Sequence, residues 1–222
     1  MHLKVKAAAV CAALGALAVV ASAGAALVVG TPGDDRLRGT PAADEIRALD
    51  GDDAVWALGG ADVIRAGKGA DRVEAGHGAD RAYGGIGRDV VAGGTGDDTL
   101  WGGSEADVVE GGHGADAAHG GTGPDHVAGG PGDDRLWGGD GADALHGGQG
   151  ADVLHALAAD GNRDLLDCGP GDDTAKVLAS QRASTRLVSC ETVVVIVVRD
   201  ADDAAAEREV YRRSDGEVSA AG

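Results

Sequence analysis

The chain has 222 residues and a formal net charge of −18 at pH 7, with 40 Gly, three Trp, two Tyr and no Phe. Glycine stands far above its usual ~7% of residues, and so few large side chains leave little for an ordinary globular core. Thirty-seven acids against 19 bases exclude nucleic-acid binding through a basic surface, and five Pro without glycine at every third position exclude collagen.

The N-terminus carries Lys4 and Lys6, an uncharged apolar run over 7–20, and the small residues Ala21-Ser22-Ala23. This layout predicts a secretory signal peptide over 1–23; the competing reading is a membrane anchor. Cleavage after Ala23 removes both lysines and Cys11 and leaves a mature charge of −20. No later segment is long and apolar enough to span a bilayer, since the run at 193–198 has only six residues.

From Gly30 the sequence divides into nine-residue units: GTPGDDRLR, GTPAADEIR, ALDGDDAVW, and later GGTGDDTLW, GGPGDDRLW and GGQGADVLH. Fourteen units run without insertion to His155, residues 156–158 interrupt the frame, and two more units occupy 159–176. The repeat domain therefore spans 24–176. The sixth position is always Asp: Asp35, Asp44, Asp53, Asp62, Asp71, Asp80, Asp89, Asp98, Asp107, Asp116, Asp125, Asp134, Asp143, Asp152, Asp164 and Asp173. The fourth position is Gly in twelve of the first fourteen units, Ala42 and Glu105 being the exceptions. The eighth is always Leu, Ile, Val or Ala, and all five prolines fall within the first five positions, away from the strand.

Glycines at positions one, two and four permit positive φ and a tight turn, which aims main-chain carbonyls inward. The aspartate adds a carboxylate, so the turn offers the oxygen ligands that a hard cation such as Ca²⁺ prefers. Positions seven to nine form a short strand whose middle residue packs inward. The competing reading makes each Asp a turn cap. The pattern G-G-x-G-x-D-x-U-x resembles the calcium-binding nonapeptide of RTX (hemolysin-type) proteins. That resemblance covers 30–176 and is closest over 84–155. The first four repeats depart from it, with Thr31, Thr40, Leu49 and Leu58 at position two. It implies an all-β fold, a parallel β-roll with two repeats per turn, and multiple Ca²⁺ ions between stacked turns. Fourteen repeats in two stacks offer at most twelve shared sites. Ten ions would cancel the mature charge, so the metal-free chain is expected to be expanded and calcium to fold it.

Cys168 and Cys190 are the two cysteines of the mature chain. In an exported protein they suggest a disulfide, the alternative being two free thiols. The bridge would hold a C-terminal capping strand, within 177–198, over the end of the roll. Residues 199–222 read as a charged flexible tail. Neither H-E-x-x-H nor G-x-S-x-G occurs, and the expectation is a secreted, non-enzymatic protein. If alternate repeats stack, Tyr83, Trp101, His119, Trp137 and His155 form an outward ladder at position nine. That ladder is read either as cross-strand packing or as a glycan- or cell-wall-binding surface. The scattered histidines offer no zinc cluster.

Overall fold

A computed structural model describes residues 17–19, 24–158, 160–180, 182, 185–197 and 207–212. Among them are twenty-one strands, from β1 (Leu17–Val19) to β21 (Glu207–Arg212), and no helix. The odd-numbered strands up to the nineteenth form one ten-stranded sheet, and the even-numbered strands with β21 form an eleven-stranded sheet. Consecutive strands alternate between the sheets, so the chain winds as a parallel β-solenoid of about nine turns. Each turn takes two nonapeptides: Thr99 pairs with Ala117 and Val108 with His126, eighteen residues on.

The strand alternation decides what lies inside. Position eight points inward throughout, and Leu37, Ile46, Val55, Ile64, Leu100 and Leu136 are fully buried. Ala82 and Ala118 occupy the same column and are equally buried. Position one, not singled out from the sequence as core, also faces in. Ala48, Ala57, Ala66 and Ala75 fill it in the early repeats. From Gly84 to Gly147 it is glycine for a steric reason. A Cβ on Gly129 would lie 2.2 Å from the Asp134 carboxylate and 2.6 Å from the carbonyl of Gly147.

The insertion at 156–158 changes the pairing interval without breaking either sheet, as Ala144 pairs with Leu165 and Val153 with Thr174, twenty-one residues on. The roll also extends beyond the last recognisable nonapeptide. Arg186–Val188 and Thr192–Val197 add one parallel strand to each sheet. Cys168 and Cys190, both buried, are joined by a disulfide with Cα atoms 5.1 Å apart, which ties the last repeat to this extension. Glu207–Arg212, inside the segment read as a charged tail, pairs antiparallel with Thr192–Val197 and takes the outer edge of that sheet. At the other end Leu27–Val29 pairs with Glu45–Arg47, and Leu17–Val19 with Arg36–Arg38. The remainder of the expected signal peptide and of the tail lies outside the described residues. Among the described residues no helix is long and apolar enough to cross a membrane.

Candidate metal centre

From the third repeat to the fourteenth, the nonapeptide turn is built on left-handed backbone. Gly85 and Gly87, at positions two and four of one repeat, have φ of +121° and +130°. A Cβ on either would meet the carbonyl oxygen of its counterpart one turn earlier, at 2.1 Å from Gly67 and 2.0 Å from Gly69. Glycine is thus required twice over, by conformation and by contact, and the stacking arrays carbonyl oxygens one above another. Three residues hold the same conformation despite a side chain: Leu49 (φ +93°), Leu58 (φ +83°) and Glu105 (φ +82°).

The sixteen position-six aspartates form two columns of eight along the edges of the roll, and none is more than 5% exposed. Their carboxylates link successive turns. In fourteen cases one oxygen accepts a hydrogen bond from the main-chain N–H of the equivalent Asp one turn earlier, as from Asp80 to Asp98 and from Asp89 to Asp107, both at 2.8 Å. The three-residue insertion leaves the series intact, with Asp143 donating to Asp164 at 3.1 Å. Glu191 extends it by one step, its carboxylate accepting from the N–H of Asp173 at 3.0 Å. Glu191 lies outside any nonapeptide. Its only sequence signal is its place just before the strand that starts at Thr192.

The second oxygen sorts fifteen of the sixteen carboxylates into two classes. In thirteen aspartates, Asp53, Asp62, Asp71, Asp80, Asp89, Asp98, Asp107, Asp116, Asp125, Asp134, Asp143, Asp152 and Asp173, Oδ2 is buried without a hydrogen-bond partner. Asp35 and Asp44 differ. Thr31 donates both its N–H (2.5 Å) and its hydroxyl (3.0 Å) to Asp35 Oδ2, and the N–H of Thr40 donates to Asp44 Oδ2 at 2.5 Å. Threonine at position two thus closes the first two turns internally, in the manner of a turn cap. The thirteen repeats with leucine or glycine at position two leave the same oxygen open.

Buried carboxylates without a counter-ion resist ionisation. Burial pushes Asp53, Asp62, Asp89, Asp98, Asp125 and Asp134 up to about 7, against the lowering effect of the main-chain hydrogen bond each accepts. Neighbouring carboxylates in the column add to the rise. Asp107, Asp143 and Asp173 are raised to about 6 for the same first reason. Glu105, two residues from Asp107, adds negative charge felt by both Asp89 and Asp107.

Among the described residues no three His, Cys, Asp or Glu side chains converge on one point as a metal cluster. The carboxylates stand in columns instead, so a cation here would need main-chain carbonyls to complete its shell. The turns supply those carbonyls, and an all-oxygen donor set with orphaned carboxylate oxygens fits a hard divalent ion. It does not fit a thiolate- or imidazole-seeking metal.

The expected ladder is present on the outer face of the even-stranded sheet. Tyr83–Trp101, Trp101–His119, His119–Trp137 and Trp137–His155 stack with centroids 4.4, 5.5, 4.1 and 4.9 Å apart and planes within 18° of parallel. Ring faces are therefore occupied by neighbouring rungs, and edges point outward. Burial lowers the pKa of His119. It lowers that of His155 to about 4, helped by Lys176, so both imidazoles are neutral at physiological pH.

A family model described as RTX calcium-binding nonapeptide repeat (4 copies) matches residues 29–64, 56–91, 83–118, 92–127 and 119–154, together more than half of the chain. No curated protein matches it.

Proposed function

The chain belongs to the RTX calcium-binding nonapeptide-repeat family, and from that premise we propose that it is a secreted, non-enzymatic protein in which Ca²⁺ binding drives folding outside the cell. That it is a calcium-binding repeat protein follows from its family. The observation that carries the coupling of metal binding to folding is the set of thirteen buried carboxylate oxygens without a partner. A fold that leaves so many acceptors unsatisfied is costly, and divalent cations relieve that cost directly.

The ligands would be the position-six aspartates from Asp53 to Asp173, with main-chain carbonyls of the glycine turns. Bound Ca²⁺ would supply positive charge between stacked turns. The first two turns, closed by Thr31 and Thr40, act as an internally satisfied end. Export is supported by the signal-like N-terminus and by the Cys168–Cys190 disulfide, a bond favoured in oxidising compartments. Affinity in the range of extracellular modules, about 10⁻⁴ to 10⁻³ M, suits such a setting.

Calorimetric titration of the metal-stripped chain, residues 24–222, with Ca²⁺ tests this reading. Uptake of several ions per chain, accompanied by a gain of β signal in circular dichroism, is the expected result. A chain already β-rich without metal, or one that takes up no more than one ion, overturns it.

A further inference from the structure

We propose that the outer face of the even-stranded sheet is a docking surface for an acidic polysaccharide. Its spine is the position-nine column, in which Arg47, Arg65, Tyr83, Trp101, His119, Trp137, His155 and Lys176 pair in register from strand to strand. The five rings lie face to face, and the guanidinium of Arg65 caps the Tyr83 end at 5.6 Å from the ring centroid. Flat stacking of a sugar on a ring face is therefore blocked. The column offers ring edges, which are the positive part of an aromatic quadrupole, along with the donors of the indole and imidazole rings.

Beside this spine runs a strip of position-two glycines, Gly67, Gly85, Gly103, Gly121 and Gly139, also in register. Without side chains there, an extended polymer can lie against the flank of the ladder.

Charge then selects the polymer. From the strand Glu45–Asp50 to the strand Thr174–Leu178, the outward positions carry Arg47, Arg65, Lys68, Arg81, Arg135 and Lys176 against Glu45, Asp50 and Asp140. This face is thus net positive in a chain whose overall charge is −18. The positive charge comes from Arg and Lys, since the ladder imidazoles are neutral.

At one end the face opens into a cleft of about 350 Å³, with Arg47, Arg65 and Lys68 around Leu49, Ala66 and Gly67. Leu49 is 40% exposed there. Its cations are held by exposed acids, Arg47 and Arg65 by Glu45 at 2.5 and 3.6 Å, and Lys68 by Asp50 at 3.2 Å. Exposed pairs of this kind contribute little and exchange readily for the carboxylate or sulfate of a ligand. With six cations against three acids, this face cannot neutralise a polymer of dense phosphate. One that spaces its charges between hydroxyl-bearing rings matches a face of spaced cations and ring donors.

The test is affinity electrophoresis of the calcium-loaded chain through chondroitin sulfate, with dextran as the neutral control and a single-stranded oligonucleotide as a competitor. Retardation by chondroitin sulfate alone, falling with added NaCl, is expected. Arg65→Glu/Lys68→Glu should weaken it at least tenfold, and Arg36→Glu/Arg72→Glu, on the odd-stranded sheet, should leave it unchanged. Circular dichroism of each variant in calcium separates lost docking from lost folding. Three results overturn the proposal: no retardation of the folded wild type, equal weakening by both charge-reversal pairs, or release by the oligonucleotide at equal charge.

Discussion

The most direct test of the acid columns is to replace calcium with protons. In the unfolded chain an aspartate titrates near 3.9. In the metal-free roll, burial holds Asp53, Asp62, Asp89, Asp98, Asp125 and Asp134 at about 7, and Asp107, Asp143 and Asp173 at about 6. Between those limits the folded state keeps protons that the unfolded state has released. Stability without metal is therefore full below about pH 4 and is lost as pH rises through 6 to 7. One pKa unit corresponds to about 1.4 kcal/mol, so even a single unit on each of these nine carboxylates costs about 12 kcal/mol at neutral pH. That is as large as the whole 5–15 kcal/mol that separates an ordinary native state from its unfolded ensemble.

The metal-free chain should accordingly be unfolded at pH 7.5, gain β signal on acidification toward pH 4, and gain the same signal at pH 7.5 when calcium is added. Far-UV circular dichroism of the desalted, metal-stripped chain across pH 8 to 4 reads this directly. With calcium present the dependence reverses, because protons compete for the same oxygens, and binding at pH 6.5 should release protons into the buffer. A metal-free spectrum that is β-rich and constant from pH 8 to 4, or that loses β signal on acidification, refutes the reasoning.

Other expectations concern single positions. Gly129→Ala drives a methyl into the Asp134 carboxylate and the Gly147 carbonyl and should lower calcium-state stability by about 1–3 kcal/mol; Gly33→Ala, with nothing within 4 Å, should change urea midpoints little. Leu58→Gly and Glu105→Gly relieve left-handed backbone at a non-glycine residue and should each stabilise the roll by about 1 kcal/mol, seen as a raised midpoint. Cys168→Ser/Cys190→Ser opens a closure of 22 residues and should cost about 3 kcal/mol, visible as a lower Tm in calcium. Leu100→Ala empties a fully buried rung and should cost about 2–5 kcal/mol by denaturant titration.

The nine-residue period marked the repeats, their aspartates and their inward aliphatic column. The stacked coil with two repeats per turn came from the resemblance those repeats carry, and the pairing of Trp101 with His119 agrees with it. What the period hid lies where the chemistry is not periodic. Position one was invisible as core because alanine and glycine carry little hydrophobic signal, yet Ala66 is fully buried. The strand Arg186–Val188 continues the stack with Thr185 just before it instead of Asp, so the motif ends before the fold does. Asp35 and Asp53 hold the same place in their repeats. Their position-two residues differ, and the N–H and hydroxyl of Thr31, 2.5 and 3.0 Å from Asp35 Oδ2, separate a satisfied carboxylate from an open one.

The same hydrogen bonds that order the columns also set their electrostatic problem. Each main-chain N–H that binds a carboxylate one turn on, as Asp80 binds Asp98 at 2.8 Å, locks the aspartates into line and keeps neighbouring charges close. The core cannot absorb that repulsion, since three of its rungs, Ala82, Ala118 and Ala175, are single methyl groups. A thicker core would make the roll less dependent on cations. The small side chains at positions one and eight and the open Oδ2 atoms therefore act together: little hydrophobic stabilisation on one side, thirteen orphaned oxygens on the other. In such a chain, cations that match those oxygens are a condition of the folded state rather than an addition to it.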